Sequence, residues 1–185
     1  MIDVNQLRRG TTFMQDGELY KVTEYSHSKP GRGKATIRVS VRNVRSGSNF
    51  QMTFSSGDRV EDVRLESQTF QYLYDDGRFY VFMNTDNYEQ KFVNHDTFAG
   101  QEKYLRENME IDLLLYEGEV LDYELPLTME FDVVRAENAI AGDTATGATK
   151  EIITDTGLKV KTPLFVQEGD RIKVNTSSGE YITRA

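Results

Sequence analysis

Tight turns punctuate this chain from end to end. Runs rich in Val, Ile, Thr, Tyr and Phe are joined by Asp16-Gly17 in "TTFMQDGELYKV", Asp76-Gly77 in "FQYLYDDGRFYVFM" and Glu117-Gly118 in "MEIDLLLYEGEVLDYELP". Such dipeptides tolerate the positive φ that a two-residue hairpin turn requires, so the flanking runs are set to pair antiparallel. The reading is all-β. Only "TFAGQEKYLRENM" offers a helical pattern, about two turns long. The strand pattern restarts twice, giving three units at 1–64, 65–127 and 128–185. Roughly five short strands in each suit small barrels of the SH3-like or OB type better than a sandwich.

Composition narrows the chemistry. Of 185 residues 38% are hydrophobic, with ten Tyr and ten Phe, which is too apolar and aromatic for a disordered chain. With no cysteine there is no disulfide framework, thiolate nucleophile or Cys-bound zinc, and His27 and His95 stand alone in sequence, so no metal site is expected. No apolar run reaches the roughly 18 residues that span a bilayer, and "MIDVNQLRRG" lacks the apolar core of a signal peptide. A cytoplasmic protein with no membrane partner is expected.

The net charge of -8 hides a polarised distribution. Lys and Arg outnumber Asp and Glu 11 to 7 in residues 1–64, whereas the ratio is 4 to 14 in 65–127 and 7 to 9 in 128–185. Between Glu24 and Asp58 no acid occurs, while Lys29, Arg32, Lys34, Arg38, Arg42 and Arg45 all fall in that gap. At its start lies "SKPGRGKAT", in which Pro30 fixes φ and Gly31 and Gly33 permit a sharp turn, with Arg32 at the apex. Downstream, Ile37, Val39 and Val41 alternate with Arg38, Ser40 and Arg42, so a strand buries the first set and exposes the second. A cationic surface of this kind suits phosphate, because neutralising phosphates releases condensed counterions. A nucleotide-binding P-loop is excluded by spacing, since the pattern needs glycine where Ser28 stands and Ser or Thr where Ala35 stands.

Other features carry weaker chemistry. "GDTATG" at 142–147 offers backbone amides to an anion but has the composition of a solvated connection. Phe50, Phe54, Tyr72 and Tyr74 could stack on bases or fill a core, and His27 could touch RNA or pack within a strand. Asp75, Asp76, Glu117, Glu119, Asp122 and Glu124 could furnish the carboxylate pair of a hydrolase, but several lie in Gly-containing turns and no catalytic spacing accompanies them. No catalytic residue, cofactor or metal is assigned.

In order along the chain, "KPGRGKA", "YLYDDGRFYVFMN" followed by "YEQ", "GDTATGATK" and "PLFVQEGDRIKVNTSSGEYITR" resemble bacterial elongation factor P over essentially the whole length. The resemblance implies three small barrels, an SH3-like, KOW-type domain followed by two OB-folds, in an elongated, L-shaped, tRNA-like arrangement. It implies a monomeric, non-enzymatic factor that binds the ribosome, through rRNA and ribosomal proteins, between the P and E sites. There such a factor positions peptidyl-tRNA and relieves stalling at consecutive prolines. Residue by residue, it assigns Lys29, Pro30, Gly31, Arg32, Gly33 and Lys34 to the loop that meets the CCA end of the P-site tRNA. Arg32 occupies the position that some members modify. It also assigns Gly142, Asp143, Thr144 and Gly147 to a loop near the E-site mRNA codon, and Tyr181 and Arg184 to a C-terminal ribosome contact, although a terminal Tyr can equally plug a core. The alternatives are a general single-stranded RNA-binding OB-fold protein and a divergent paralogue of the family.

Overall fold

The structure, a computed structural model, describes residues 1–28, 35–137 and 148–185. Among them sixteen strands and three short 3-10 turns form three sheets. The first contains β1 (Ile2–Asp3), β2 (Thr12–Gln15), β3 (Glu18–Ser28), β4 (Thr36–Asn43), β5 (Asn49–Ser55) and β6 (Arg59–Asp62), in the order β1-β6-β2-β3-β4-β5. The second contains β7 (Glu66–Asp75), β8 (Phe79–Asn84), β9 (Gln90–Asn94), β10 (Glu110–Tyr116) and β11 (Glu119–Glu124), in the order β11-β10-β7-β8-β9. The third contains β12 (Thr128–Ala136), β13 (Thr149–Thr154), β14 (Lys159–Pro163), β15 (Arg171–Asn175) and β16 (Tyr181–Arg184), in the order β14-β13-β12-β15-β16. The all-β expectation holds.

Turn chemistry builds the hairpins. Asp16 and Gly17 have φ of 53° and 80°, and Glu117 and Gly118 have φ of 50° and 81°, the paired positive values of a two-residue hairpin turn. At Asp76 the connection is longer, and its Oδ1 accepts the amides of Arg78 (2.8 Å) and Phe79 (2.7 Å). Those two amides hold the Asp76 carboxyl below the usual range. Within the strands, register shifts at Val22/Glu24, Tyr72/Tyr74, Val133/Arg135 and Lys173/Val174 place at least one irregularity in every sheet. An extra residue on one strand bends it and increases its twist, which lets a short sheet curl over its own apolar face. Phe13, Val22, Ile37, Val39 and Val41 fill the first core, and Phe131, Ile152, Val166, Ile172 and Val174 the third.

The expected helix in "TFAGQEKYLRENM" is not formed. Two 3-10 turns, His95–Phe98 and Glu102–Tyr104, stand there instead, separated by Gly100 at φ +83°, a conformation no right-handed helix accepts. Each turn buries one aromatic. Phe98 stacks on Phe82 with centroids 5.6 Å apart, and Tyr104 meets Phe131 edge-on at 6.0 Å. Anchoring two rings three-dimensionally outweighs a weak local helical preference.

The chain divides into two compact units, Met1–Gln68 with Leu113–Tyr123, and Thr69–Asp112 with Glu124–Ala185. In the first, the β10–β11 hairpin is packed against the first sheet: Leu121 is buried with Leu19 and Val63, flanked by Met14, Val44, Leu65 and Tyr116. Ion pairs Lys21–Asp122 and Arg45–Glu119 border that seam. In the second unit, Tyr104 joins the core of the third sheet. Beside it, Arg106 lies 5.0 Å from the Phe131 ring centroid and pairs with Asp155.

One turn is repeated in all three sheets. Asn43, Asn84 and Asn175 each end a strand, and each turns its Oδ1 onto the amides two and three residues later. Their own carbonyls accept from Gly47 (2.9 Å), Tyr88 (3.0 Å) and Gly179 (2.8 Å), whose φ values are 72°, 61° and 73°. Only Tyr88 holds this left-handed conformation with a side chain. Tyr88→Gly is therefore expected to raise the stability by up to about 1 kcal/mol, because the 72%-exposed ring loses little packing, and Gly179→Ala to lower it by about 1 kcal/mol. Urea denaturation of the two variants beside the parent chain checks both signs.

In the third sheet Asp132 and Arg171 face each other in register, and Arg171 donates from Nε at 2.8 Å and Nη2 at 3.3 Å. The guanidinium hydrogen bonds hold the Asp132 carboxyl below its ordinary range. A depressed folded-state value means stabilisation present above the unfolded carboxylate pKa and lost as pH falls through the folded one. The thermal midpoint of Asp132→Asn should lie below that of the parent at pH 7, and the gap should narrow on acidification past the carboxylate range.

Candidate nucleic-acid interface

The β3–β4 ladder runs from Tyr20↔Asn43 to Ser28↔Thr36, with its irregularity at Val22/Glu24. On its other side β4 pairs with β5 along its length, from Thr36↔Ser55 to Arg42↔Asn49. Held from both sides, β4 shows the expected alternation: Ile37, Val39 and Val41 are fully buried, and Arg38 and Arg42 are exposed. At the irregularity the Thr23 hydroxyl donates to the Ser40 carbonyl at 3.0 Å, leaving no orphan side-chain donor there.

Arginines from the chain start come to the same strands. Arg8 Nη1 donates to the carbonyls of Asn5 (2.8 Å) and Leu7 (2.7 Å), and its guanidinium sits 5.3 Å from the Tyr25 ring centroid. Arg8 thereby fixes the segment that carries Arg9. Beside it opens a depression of about 570 Å³, lined by Arg9, Glu24, Tyr25, Ser26, Arg38, Ser40 and Gln51. Among the described residues Arg9 and Arg38 form no ion pair, unlike Lys21 and Arg45 in the same unit. Sequence reading missed Arg8 and Arg9. The signal available was an adjacent Arg pair before Gly10; what brings it to β3 is long-range closure, as when the Gly10 amide donates to the Val22 carbonyl at 2.8 Å.

The other candidates separate. Lys29, Pro30, Gly31, Arg32, Gly33 and Lys34, and likewise Gly142, Asp143, Thr144 and Gly147, lie outside the described residues. Tyr181 is packed, partly buried, against the third core. Arg184 lies 3.8 Å from the Asp170 carboxylate and 5.9 Å from the centroid of the exposed Phe165 ring. Phe54 packs edge-on against Phe13 at 6.3 Å, and Tyr72 is buried beside Tyr80 and Phe82. Burial, with the nearby Asp75 charge, pushes the Tyr72 hydroxyl up to about 12. These two aromatics belong to cores, whereas Phe50 (49%) and Tyr74 (48%) are half exposed. His27 is exposed across the ladder from Ile37.

Five of the six acidic candidates have a place in local structure. Asp76 caps its turn, Asp75 Oδ1 lies 2.8 Å from His95 Nε2, Glu119 and Asp122 pair with Arg45 and Lys21, and Glu117 occupies a left-handed turn position. Among the described residues no group of His, Asp and Glu is placed to hold a metal ion, and no helix is long and apolar enough to cross a membrane.

Comparison with known proteins agrees along the chain. Residues 3–60 match the Elongation factor P (EF-P) KOW-like domain, 65–123 the Elongation factor P (EF-P) OB domain, and 129–184 the family Elongation factor P, C-terminal. Elongation factor P of Moorella thermoacetica is 42% identical over 185 residues, covering 100% of both chains. Among solved structures, eukaryotic translation initiation factor 5A from Methanococcus jannaschii superposes with a TM-score of 0.51 at 21% identity, over 66% of this chain and 94% of that one. At that identity the likeness is one of fold. Full-length identity to a curated member and three family domains in sequence order place the chain in the elongation factor P family of translation elongation factors.

Proposed function

We propose that the chain binds the ribosome between the P and E sites, positions peptidyl-tRNA, and relieves stalling at consecutive prolines. The observation that carries this reading is the β3–β4 hairpin. Its strands are paired as far as Ser28↔Thr36, β4 is braced by β5, and its outward row is cationic. The sequence joining those strands is Lys29-Pro30-Gly31-Arg32-Gly33-Lys34-Ala35, with no acid among them. The braced ladder fixes Ser28 and Thr36, the strand ends between which this cationic sequence runs. The segment around Gly142, Asp143, Thr144 and Gly147 then meets the E-site codon, and Tyr181 with Arg184 adds a ribosomal contact.

The chain needs no catalytic group for this task. Proline is a secondary amine with a locked φ, so its attack on a peptidyl ester ending in proline is geometrically poor. Contacts from residues 29–34 to the CCA end restrict the ester to reactive geometries, an orientation effect. Arg32 supplies charge-assisted hydrogen bonds, and its guanidinium, a far poorer nucleophile than an amine, is no acceptor for a lysyl extension. The Pro-Gly-Arg-Gly context fits a factor that works with an unmodified tip.

Synthesis of Pro-Pro-Pro on purified ribosomes, beside a Phe-Phe control, tests the function: the unmodified chain should accelerate the proline reaction alone. Arg32→Ala should keep the fold and lower the saturating rate about tenfold, equivalent to about 1.4 kcal/mol of barrier; an unchanged rate would remove Arg32 from the mechanism. Intact mass of the chain purified from its native host should equal that of the bare sequence, and an added deoxyhexose would overturn the unmodified-tip reading.

A further inference from the structure

We propose that the outer edge of β5 is a docking site for a protein partner, which adds an antiparallel strand there in which apolar residues alternate with acidic ones. The inference goes beyond the function proposed above and does not depend on it.

Six strands end the three sheets, and five of them are guarded. β1 has two residues and contains Asp3, β11 carries Glu119, Asp122 and Glu124, and β9 carries Lys91. β14 carries Lys159, Lys161 and Pro163, and β16 is four residues long and ends in Arg184. Shortness, charge and proline are the devices that keep an edge from pairing with another chain. β5, "NFQMTFS", has none of them, and at seven residues it is the longest of the six. The uncharged stretch extends from Ser46 to Gly57.

Register shows which backbone groups this edge offers. β4 and β5 pair without irregularity, and at the two ends of their ladder the Asn43 amide donates to the Ser48 carbonyl and the Ser56 amide to the Ala35 carbonyl. Bonded pairs alternate in an antiparallel ladder, so Phe50, Met52 and Phe54 direct their backbone groups at β4, while those of Asn49, Gln51 and Thr53 point away from it. At Ser55, next in the outward set, the amide is taken by the Asp58 carboxylate at 2.8 Å. Asn49, Gln51 and Thr53 are exposed and have no strand on that side among the described residues. A strand laid there gains main-chain hydrogen bonds.

Two side-chain rows define the partner. On the core side Phe50 is half exposed against Tyr20, and Met52 and Phe54 are partly buried at the rim of the first core. Apolar residues opposite these three extend its cover. On the other side Asn49 and Thr53 lie beside Arg42 and Arg38, which are exposed and form no ion pair among the described residues. An acid opposite Thr53 stands two strand spacings, about 10 Å, from the Arg38 backbone, within the combined reach of two long side chains. Carboxylates are attracted to that row and lysines repelled.

The probe is the end-blocked peptide Val-Glu-Val-Glu-Val-Glu-Val, titrated at millimolar concentration into the full chain and followed by amide NMR. The amides of Asn49, Gln51 and Thr53 should shift. N-methylation of the Glu amides, which face β5 in this register, should abolish binding, and N-methylation of the inner Val amides, which face away, should leave it. Replacing every Glu by Lys should weaken binding several-fold at low salt. Thr53→Pro deletes an outward amide without touching the bonds to β4, and should remove binding. Gln51→Glu, which keeps every amide, should weaken the Glu peptide and strengthen the Lys peptide. No shift along β5, binding that survives N-methylation of the Glu amides, or equal binding of the Glu and Lys peptides overturns the proposal. Sedimentation showing that the chain dimerises and that Thr53→Pro restores the monomer would also overturn it, with a second copy as the occupant.

Discussion

Small sheets have trouble covering their own cores, and this constraint shapes the rest of the molecule. A barrel of about sixty residues buries a smaller share of its surface than a larger domain does. Here the shortfall is met by lending. The β10–β11 hairpin closes over Leu19 and Val63 of the first sheet with Leu121, while Tyr104 is inserted among Phe131 and its neighbours in the third. Charged pairs are set at the borders of these seams, Lys21–Asp122 and Arg45–Glu119 at one and Arg106–Asp155 at the other. Two carboxylates of the acidic middle segment, Glu119 and Asp122, are thereby used in assembly.

Alternation on β4 ties the fold to the candidate surface. One period of two buries Ile37, Val39 and Val41 and exposes Arg38 and Arg42, so the core cannot slip by a residue without turning the arginines inward. Pairing with β3 and β5 fixes that register from both sides. The cationic face inherits its precision from the apolar one. Arg8 extends the arrangement by pinning the chain start to Tyr25, which converts Arg9 from a loose terminal charge into part of a surface.

Local pattern carried much of this in readable form. The Asp16-Gly17 and Glu117-Gly118 turns, the alternation along Ile37–Arg42 and the polarised charge could all be read residue by residue. The helix expected after Thr97 failed because Phe98 and Tyr104 are drawn into cores that no window of a dozen residues reveals, with Gly100 permitting the reversal between them. The three asparagine turns were present in the letters, but their equivalence emerges only when Tyr88 is seen to occupy the position of Gly47 and Gly179. Arg9 was invisible for a related reason: its neighbour in space, Arg38, is 29 positions away in sequence. Of the candidate site, the row on β4 was legible and the approach of the first ten residues was not.

The seam around Leu121 also bears on how such chains can be recombined. A junction drawn at residues 64 and 65, where the strand pattern restarts, parts the first sheet from the hairpin that covers it. The natural unit of exchange is discontinuous: Met1–Gln68 travels with Leu113–Tyr123. Chimeras that swap the cationic barrel alone would pair a foreign Leu19 and Val63 with a resident Leu121, so the barrel and the hairpin that covers it have to be exchanged as one piece.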